Sequence, residues 1–120
     1  MTIKEEFKSE LESLHESLIE VSDWMYENPE LAFEEFETSK FLVNYLKKYD
    51  PNILYPTHGL DTAFELTFGK NGPLVVLCVE YDALPEIGHA CGHNIIATCS
   101  IGAGLGLSLI HISEPTRPLG

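Results

Sequence analysis

The run Leu74-Val75-Val76-Leu77-Cys78-Val79 leads straight into Glu80-Tyr81-Asp82-Ala83-Leu84-Pro85-Glu86-Ile87-Gly88-His89-Ala90-Cys91-Gly92-His93-Asn94. This junction decides how the chain is read. A continuous apolar run predicts a strand buried on both faces, as at the centre of an α/β sheet. The stretch after it holds acids, a thiol and two imidazoles, the composition of a metal site. Open α/β sheets gather their ligands at the ends of central strands, so fold and chemistry point to one place.

Upstream of that strand the pattern is helical. Phe7, Leu11, Leu14, Leu18, Val21 and Met25 recur at intervals of four and three, which predicts one amphipathic helix over about 2–27. The stripe reads as a core face; too few heptads are present for a coiled coil, and Trp24 widens the apolar side. Asn28-Pro29 ends the helix, because proline lacks an amide hydrogen and disfavours helical angles before it. A second helix over about 33–49 buries Phe36, Phe41, Leu42, Tyr45 and Leu46. Glu34, Glu35 and Glu37 at its start and Lys47 and Lys48 at its end suit the helix dipole. That assignment outranks Glu34-Glu35 as a catalytic carboxylate pair. Short strands over 52–55 and 62–68 follow, the second alternating Phe64, Leu66, Phe68 against Ala63, Glu65, Thr67, with a turn at 69–72. A third helix opens at His93 or Asn94 and runs through Ile95, Ile96, Ala97, Ile101 and Leu105. Two helices, strands, then a helix describe an α/β layer fold.

The chain has 120 residues, enough for one modest core and not for two domains. Its net charge is −12, and the first fifty residues, with 13 acids and 5 bases, carry −8 of it. Such a chain repels nucleic acid. The N-terminal residues lack a signal-peptide layout and no apolar run approaches a membrane span, so a cytoplasmic location is expected. Cys78, Cys91 and Cys99 make an odd count, which favours free thiols or a metal ligand over disulfides. His15 falls on the polar side of the first helix, whereas His58, in Pro56-Thr57-His58-Gly59, fits either a surface turn or a cleft.

Around the candidate site, Asp82 emerges just after the strand, Pro85 turns the chain, and Gly88 and Gly92 let the backbone bend around Cys91 and His93. A thiolate and an imidazole two residues apart can reach one divalent ion, and zinc accepts that N/S pairing. Cys-x-His spacing alone is a weak signal. His89 and His93 are four apart, as in the helical zinc signature His-Glu-x-x-His, but Ala90 stands where the glutamate would be and Gly92 disfavours a helix. Two alternatives stay open on spacing: Cys91 as a nucleophile activated by His89 or His93, and a buried polar cluster without metal.

The block from Glu80 to Asn94, with Asn28-Pro29-Glu30-Leu31-Ala32-Phe33-Glu34-Glu35 upstream, resembles the M20 family of zinc peptidases and amidohydrolases. Within it the likeness is greatest to the branch of aminobenzoyl-glutamate hydrolases and β-alanyl-lysine type dipeptidases. Asn94 stands where the auxin-conjugate and hippurate hydrolase branch carries aspartate, and Tyr26 where many relatives carry histidine. The resemblance covers about 8–106. It implies the N-terminal portion, incomplete, of a zinc-aminopeptidase-like catalytic domain over 1–106, in a cytoplasmic hydrolase of amide bonds in a small N-acyl amino acid or dipeptide. It also implies two divalent metal ions, zinc or else cobalt or manganese, with Cys91 and His93 as ligands and Asp82 behind them, orienting a ligand imidazole. His89 and Asn94 match positions lining the site. In the family, metal-bound water attacks the carbonyl while a glutamate from a later Glu-Glu pair shuttles the proton. After Asn94 this chain carries one acid, Glu114. The remaining ligands and the lid domain, through which relatives pair as homodimers, are also expected beyond this chain.

Residues 107–120 read differently. Leu107-Ser108-Leu109-Ile110-His111-Ile112-Ser113-Glu114-Pro115-Thr116-Arg117 resembles the conceptual translation of a transposase adaptor used in sequencing libraries. The expectation is therefore a non-native tail, with His111 and Glu114 excluded as ligands, on an N-terminal fragment that is inactive by itself. The competing expectation is a short binding module that dimerises through the stripe from Phe7 to Met25.

Overall fold

A computed structural model describes residues 2–69 and 71–113, with side chains described as far as residue 109. The described residues contain three helices: α1 (Ile3–Glu27), α2 (Phe36–Lys47) and α3 (His93–Ser113).

Helix α1 begins where the sequence places it. Thr2 caps it, its Oγ1 accepting from the Glu5 amide at 3.1 Å while Glu5 Oε2 accepts from the Thr2 amide at 3.3 Å. Such a reciprocal cap stabilises by about 1 kcal/mol. Of the predicted stripe, Leu14, Val21 and Met25 are buried and Leu18 packs against the same core. Phe7, Leu11 and Leu18 face Gly102 and Gly106 of α3, whose missing side chains let the two helices approach. The stripe is therefore covered by α3. Asn28 closes α1, its amide and side-chain Nδ2 both donating to the Trp24 carbonyl.

Helix α2 starts three residues later than expected. Phe33 takes a left-handed φ of 67° and Glu35 is not helical, so Glu34 and Glu35 lie ahead of the first turn. The dipole role assigned to them falls instead to Glu37 and to Glu30, whose carboxylate accepts from the amides of Glu37 at 3.1 Å and Thr38 at 2.5 Å. Leu42, Tyr45 and Leu46 are buried as predicted, joined by Val43, whereas Phe36 is exposed. The Tyr45 hydroxyl meets Ser17 Oγ at 2.8 Å, and Phe41 stacks on Trp24 with ring centroids 4.2 Å apart and planes 2° from parallel. Both contacts fasten α2 to α1.

The expected strands are not realised: the described residues contain no β-strand. The segments 52–55 and 62–68 meet at one antiparallel pair, Leu54 with Glu65, which exchange two hydrogen bonds of 2.9 Å. Phe64, Leu66 and Phe68 nevertheless turn towards the core as their alternation predicts. The larger correction concerns 74–79. Instead of lying buried on both faces, Leu74, Val75, Val76 and Leu77 are 82%, 76%, 70% and 43% exposed. A strand exists only against a neighbour, and no backbone group of this segment pairs with another backbone group among the described residues. The segment is tied to α3 at Cys78, whose carbonyl accepts from Ser100 Oγ at 2.8 Å. The apolar composition is that of a central strand, but the described residues include no sheet to receive it.

Helix α3 buries Ala97, Ile101 and Leu105 and continues through 107–113, past the point where the tail was expected to begin. Residues 114–120, with Glu114, lie outside the described residues. No helix among the described residues is long and apolar enough to cross a membrane.

Candidate metal centre

Tyr81 anchors the approach to the site. Its buried ring stacks on Phe64 at 5.9 Å, and its hydroxyl donates to the Thr62 carbonyl. Burial, with Glu35 and Tyr55 nearby, pushes the phenol well above its ordinary value of 10.0, so it remains a donor. The next two residues are held from the other side. The Ala83 amide donates to the Glu30 carbonyl at 2.7 Å, and Leu31 and Ala83 form a parallel bridge.

A tight loop follows. Leu84 and Gly88 exchange hydrogen bonds of 2.9 and 3.0 Å, with Glu86 and Gly88 at φ of 69° and 62°. The Pro29 ring packs over Gly88, within 3.7 Å of where a Cβ would stand. At Gly92, φ is 86°, and its carbonyl accepts from the amides of Ile95 and Ile96 to begin α3.

These turns bring His93 onto Asp82. Its Nδ1 lies 2.8 Å from Asp82 Oδ1 and 2.9 Å from the Asp82 carbonyl. Both atoms are acceptors, so Nδ1 is the donor in this pair. Nε2 lies 3.9 Å from Glu80 Oε2. The Cys91 thiol is exposed.

His89 and Asn94 are placed differently from each other. His89 is 4% exposed, and neither ring nitrogen has a hydrogen-bond partner among the described residues. Burial chiefly, then His93, lowers its pKa from 6.5, with Asp82 opposing. Asn94 is buried but faces α1, its Nδ2 donating to Ser22 Oγ at 3.2 Å. It ties two helices together. His58 is a surface group, its Nε2 3.2 Å from Glu65 Oε1, and His15 is exposed.

Two residues near the site carry weight that the sequence did not signal. Glu30 joins α2 to the Ala83 backbone; an acid capping a helix seven and eight residues downstream follows no local rule. Glu35 has one carboxylate oxygen buried without a hydrogen-bond partner among the described residues. Burial first, and then the charges of Asp82 and Glu30, raise its pKa above 4.5, against the pull of the Glu35 and Phe33 amides.

Among the described residues no group of three or more His, Cys, Asp or Glu side chains could hold an ion. The donors that are present suit one in kind. A carboxylate on Nδ1 with a free Nε2 is the usual arrangement behind a metal-binding imidazole, and a thiol two residues away adds a soft donor.

No family model matches the chain. Among curated relatives, the Xaa-Arg dipeptidase of Mus musculus is 35% identical over 115 residues, covering 88% of this chain and 27% of that protein. The Xaa-Arg dipeptidase of Homo sapiens is 35% identical over 120 residues, covering 87% and 27%. A p-aminobenzoyl-glutamate hydrolase polypeptide of Escherichia coli (strain K12) is 26% identical over 114 residues, covering 81% and 24%. The chain spans about a quarter of the length of these relatives.

Proposed function

We propose that this chain supplies the N-terminal part of the two-metal centre of an M20-type amidohydrolase or dipeptidase. The complete enzyme cleaves the amide bond of a small N-acyl amino acid or dipeptide. The names of the similar proteins, dipeptidase and aminobenzoyl-glutamate hydrolase, support the reaction class. The observation that carries the proposal is the hydrogen bond from His93 Nδ1 to Asp82, which commits Nδ1 and reserves Nε2 for an ion, beside a loop bearing an exposed thiol.

In this reading Cys91 and His93 hold a divalent ion, with zinc suited to the N/S pair and cobalt or manganese acceptable. A bound ion of this kind supplies an acidified water and polarises a carbonyl. The chain's own residues prepare for it. Asp82 fixes the tautomer and orientation of His93, Tyr81 and Ala83 hold the backbone on either side of Asp82, and Gly92 turns Cys91 and His93 onto the start of α3. The proton-shuttling glutamate and the other ligands belong to residues beyond this chain, so the chain alone is inactive. A cytoplasmic setting, where Cys78, Cys91 and Cys99 stay reduced, and homodimerisation of the complete enzyme are parts of the same proposal.

Zinc titrated into the purified chain against a chromophoric chelator tests it, together with a dipeptide hydrolysis assay. Weak zinc uptake that disappears in Cys91→Ala and in His93→Ala, with no hydrolysis, is expected. Uptake indifferent to both substitutions would sink the ligand assignment, and hydrolysis by the chain would sink the claim of incompleteness.

A further inference from the structure

Glu30 makes contacts in two directions from one residue. Its side chain accepts from the first free amides of α2, at Glu37 and Thr38. Its main-chain carbonyl accepts from the Ala83 amide at 2.7 Å, and the next residue, Leu31, forms a parallel bridge with Ala83. Ala83 follows directly on Asp82, whose carboxylate and carbonyl both receive the His93 Nδ1 proton. Hydrogen bonds and one peptide link thus connect the N-terminus of α2 through Glu30 and Ala83 to Asp82 and the first residue of α3.

Besides these contacts the segment carrying Glu30 is held by the Pro29 ring over Gly88 and by the Glu34 amide on the Leu31 carbonyl at 2.9 Å. It follows Pro29, which cannot donate, and leads to Phe33, whose left-handed backbone is unfavourable for a residue with a side chain. Backbone held in such a region persists only where its surroundings over-determine it. The anionic carboxylate at the α2 N-terminus supplies that hold through charge-assisted hydrogen bonds and the favourable end of the helix dipole.

We infer that Glu30 is a positioning residue for the Asp82–His93 pair: by clamping its own backbone to α2 it sets where Ala83, and hence Asp82, meets the imidazole. The inference takes its functional meaning from the proposed metal-facing role of His93. Its geometry is independent of any ion.

The test reads the His93 tautomer in the metal-free chain of 120 residues. With 15N-labelled histidine at about pH 8.5, well above the ordinary imidazole pKa, ring nitrogen shifts report which nitrogen is protonated. His93→Asn identifies the signal among the five histidines. The native chain is expected to hold His93 as Nδ1–H. Glu30→Ala should lower the ratio of Nδ1–H to Nε2–H several-fold. Glu30→Gln, which keeps one acceptor oxygen and the fold more securely, should shift it in the same direction by less. Gly106→Ala, which disturbs α1 against α3 away from this loop, should leave it unchanged. The inference is overturned if neither Glu30 variant moves the ratio, or if Gly106→Ala moves it equally. Zinc binding, measured separately, decides the metal proposal whichever way the tautomer behaves.

Discussion

Gly106 of α3 lies beneath the ring of Phe7 on α1, so close that a Cβ on Gly106 would stand 2.8 Å from Phe7 Cε2 and 3.1 Å from Cδ2. Gly104, two residues earlier, has only Leu77 Cδ1 within range, at 3.7 Å. Replacing a helical glycine by alanine gains about 1 kcal/mol of helix propensity, while overpacking costs about 1–3 kcal/mol. Gly106→Ala should therefore destabilise by up to about 2 kcal/mol, the excess of overpacking over propensity. Gly104→Ala should stabilise by up to about 1 kcal/mol. Urea midpoints followed by circular dichroism check both signs.

Asp82 acts on any ion only through His93. Asp82→Ala should weaken zinc uptake by roughly 10- to 100-fold, the usual cost of removing a carboxylate behind a ligand imidazole. Chelator competition measures it, and an unchanged affinity would remove Asp82 from the site.

Two groups near Asp82, buried His89 and half-buried Glu35, titrate with opposite effects on stability. His89 has a lowered pKa when folded, so the unfolded chain takes up its proton first. Its contribution is full above about 6.5 and is lost as pH falls through the folded value. Glu35 has a raised pKa; its contribution is full below about 4.5 and is lost as pH rises through the folded value. Glu35→Gln should gain stability at neutral pH, an advantage that fades in acid. His89→Asn should flatten the decline below about 6.5. Urea midpoints of both variants against the native chain, across the acid-to-neutral range, separate the two windows.

The segment 74–79 carries no charge, exposes the apolar side chains of 74–77 and makes no backbone–backbone hydrogen bond among the described residues. Such edges template association. Val76→Lys should reduce self-association in sedimentation velocity and lower dye binding to apolar surface, with the unfolding midpoint unchanged because Val76 is 70% exposed. A large fall in midpoint would show that the side chain is packed after all.

What could be read from sequence was local. The α1 stripe is a property of residues three and four apart and appears where expected, with a Thr2–Glu5 cap that the same spacing explains. An acid at Asp82 behind a ligand imidazole was implied by the family resemblance and not by spacing; the structure puts Asp82 Oδ1 2.8 Å from His93 Nδ1. The start of α2 was not legible, since it depends on Glu30 reaching forward across a left-handed Phe33. Asn94 reads as a site residue by its neighbours, yet its side chain answers to Ser22, 72 positions away. The strands failed for a related reason. Apolar composition specifies that 74–79 wants neighbours, and no backbone group pairs with it among the described residues.

Trp24 is the chain's one tryptophan, and it lies flat against Phe41. The chain therefore carries an intrinsic optical probe of one particular joint. Its emission will follow the parting of α1 from α2 and stay nearly silent while the loop around His93 rearranges, so a fluorescence melt and a histidine spectrum watch different events in the same molecule.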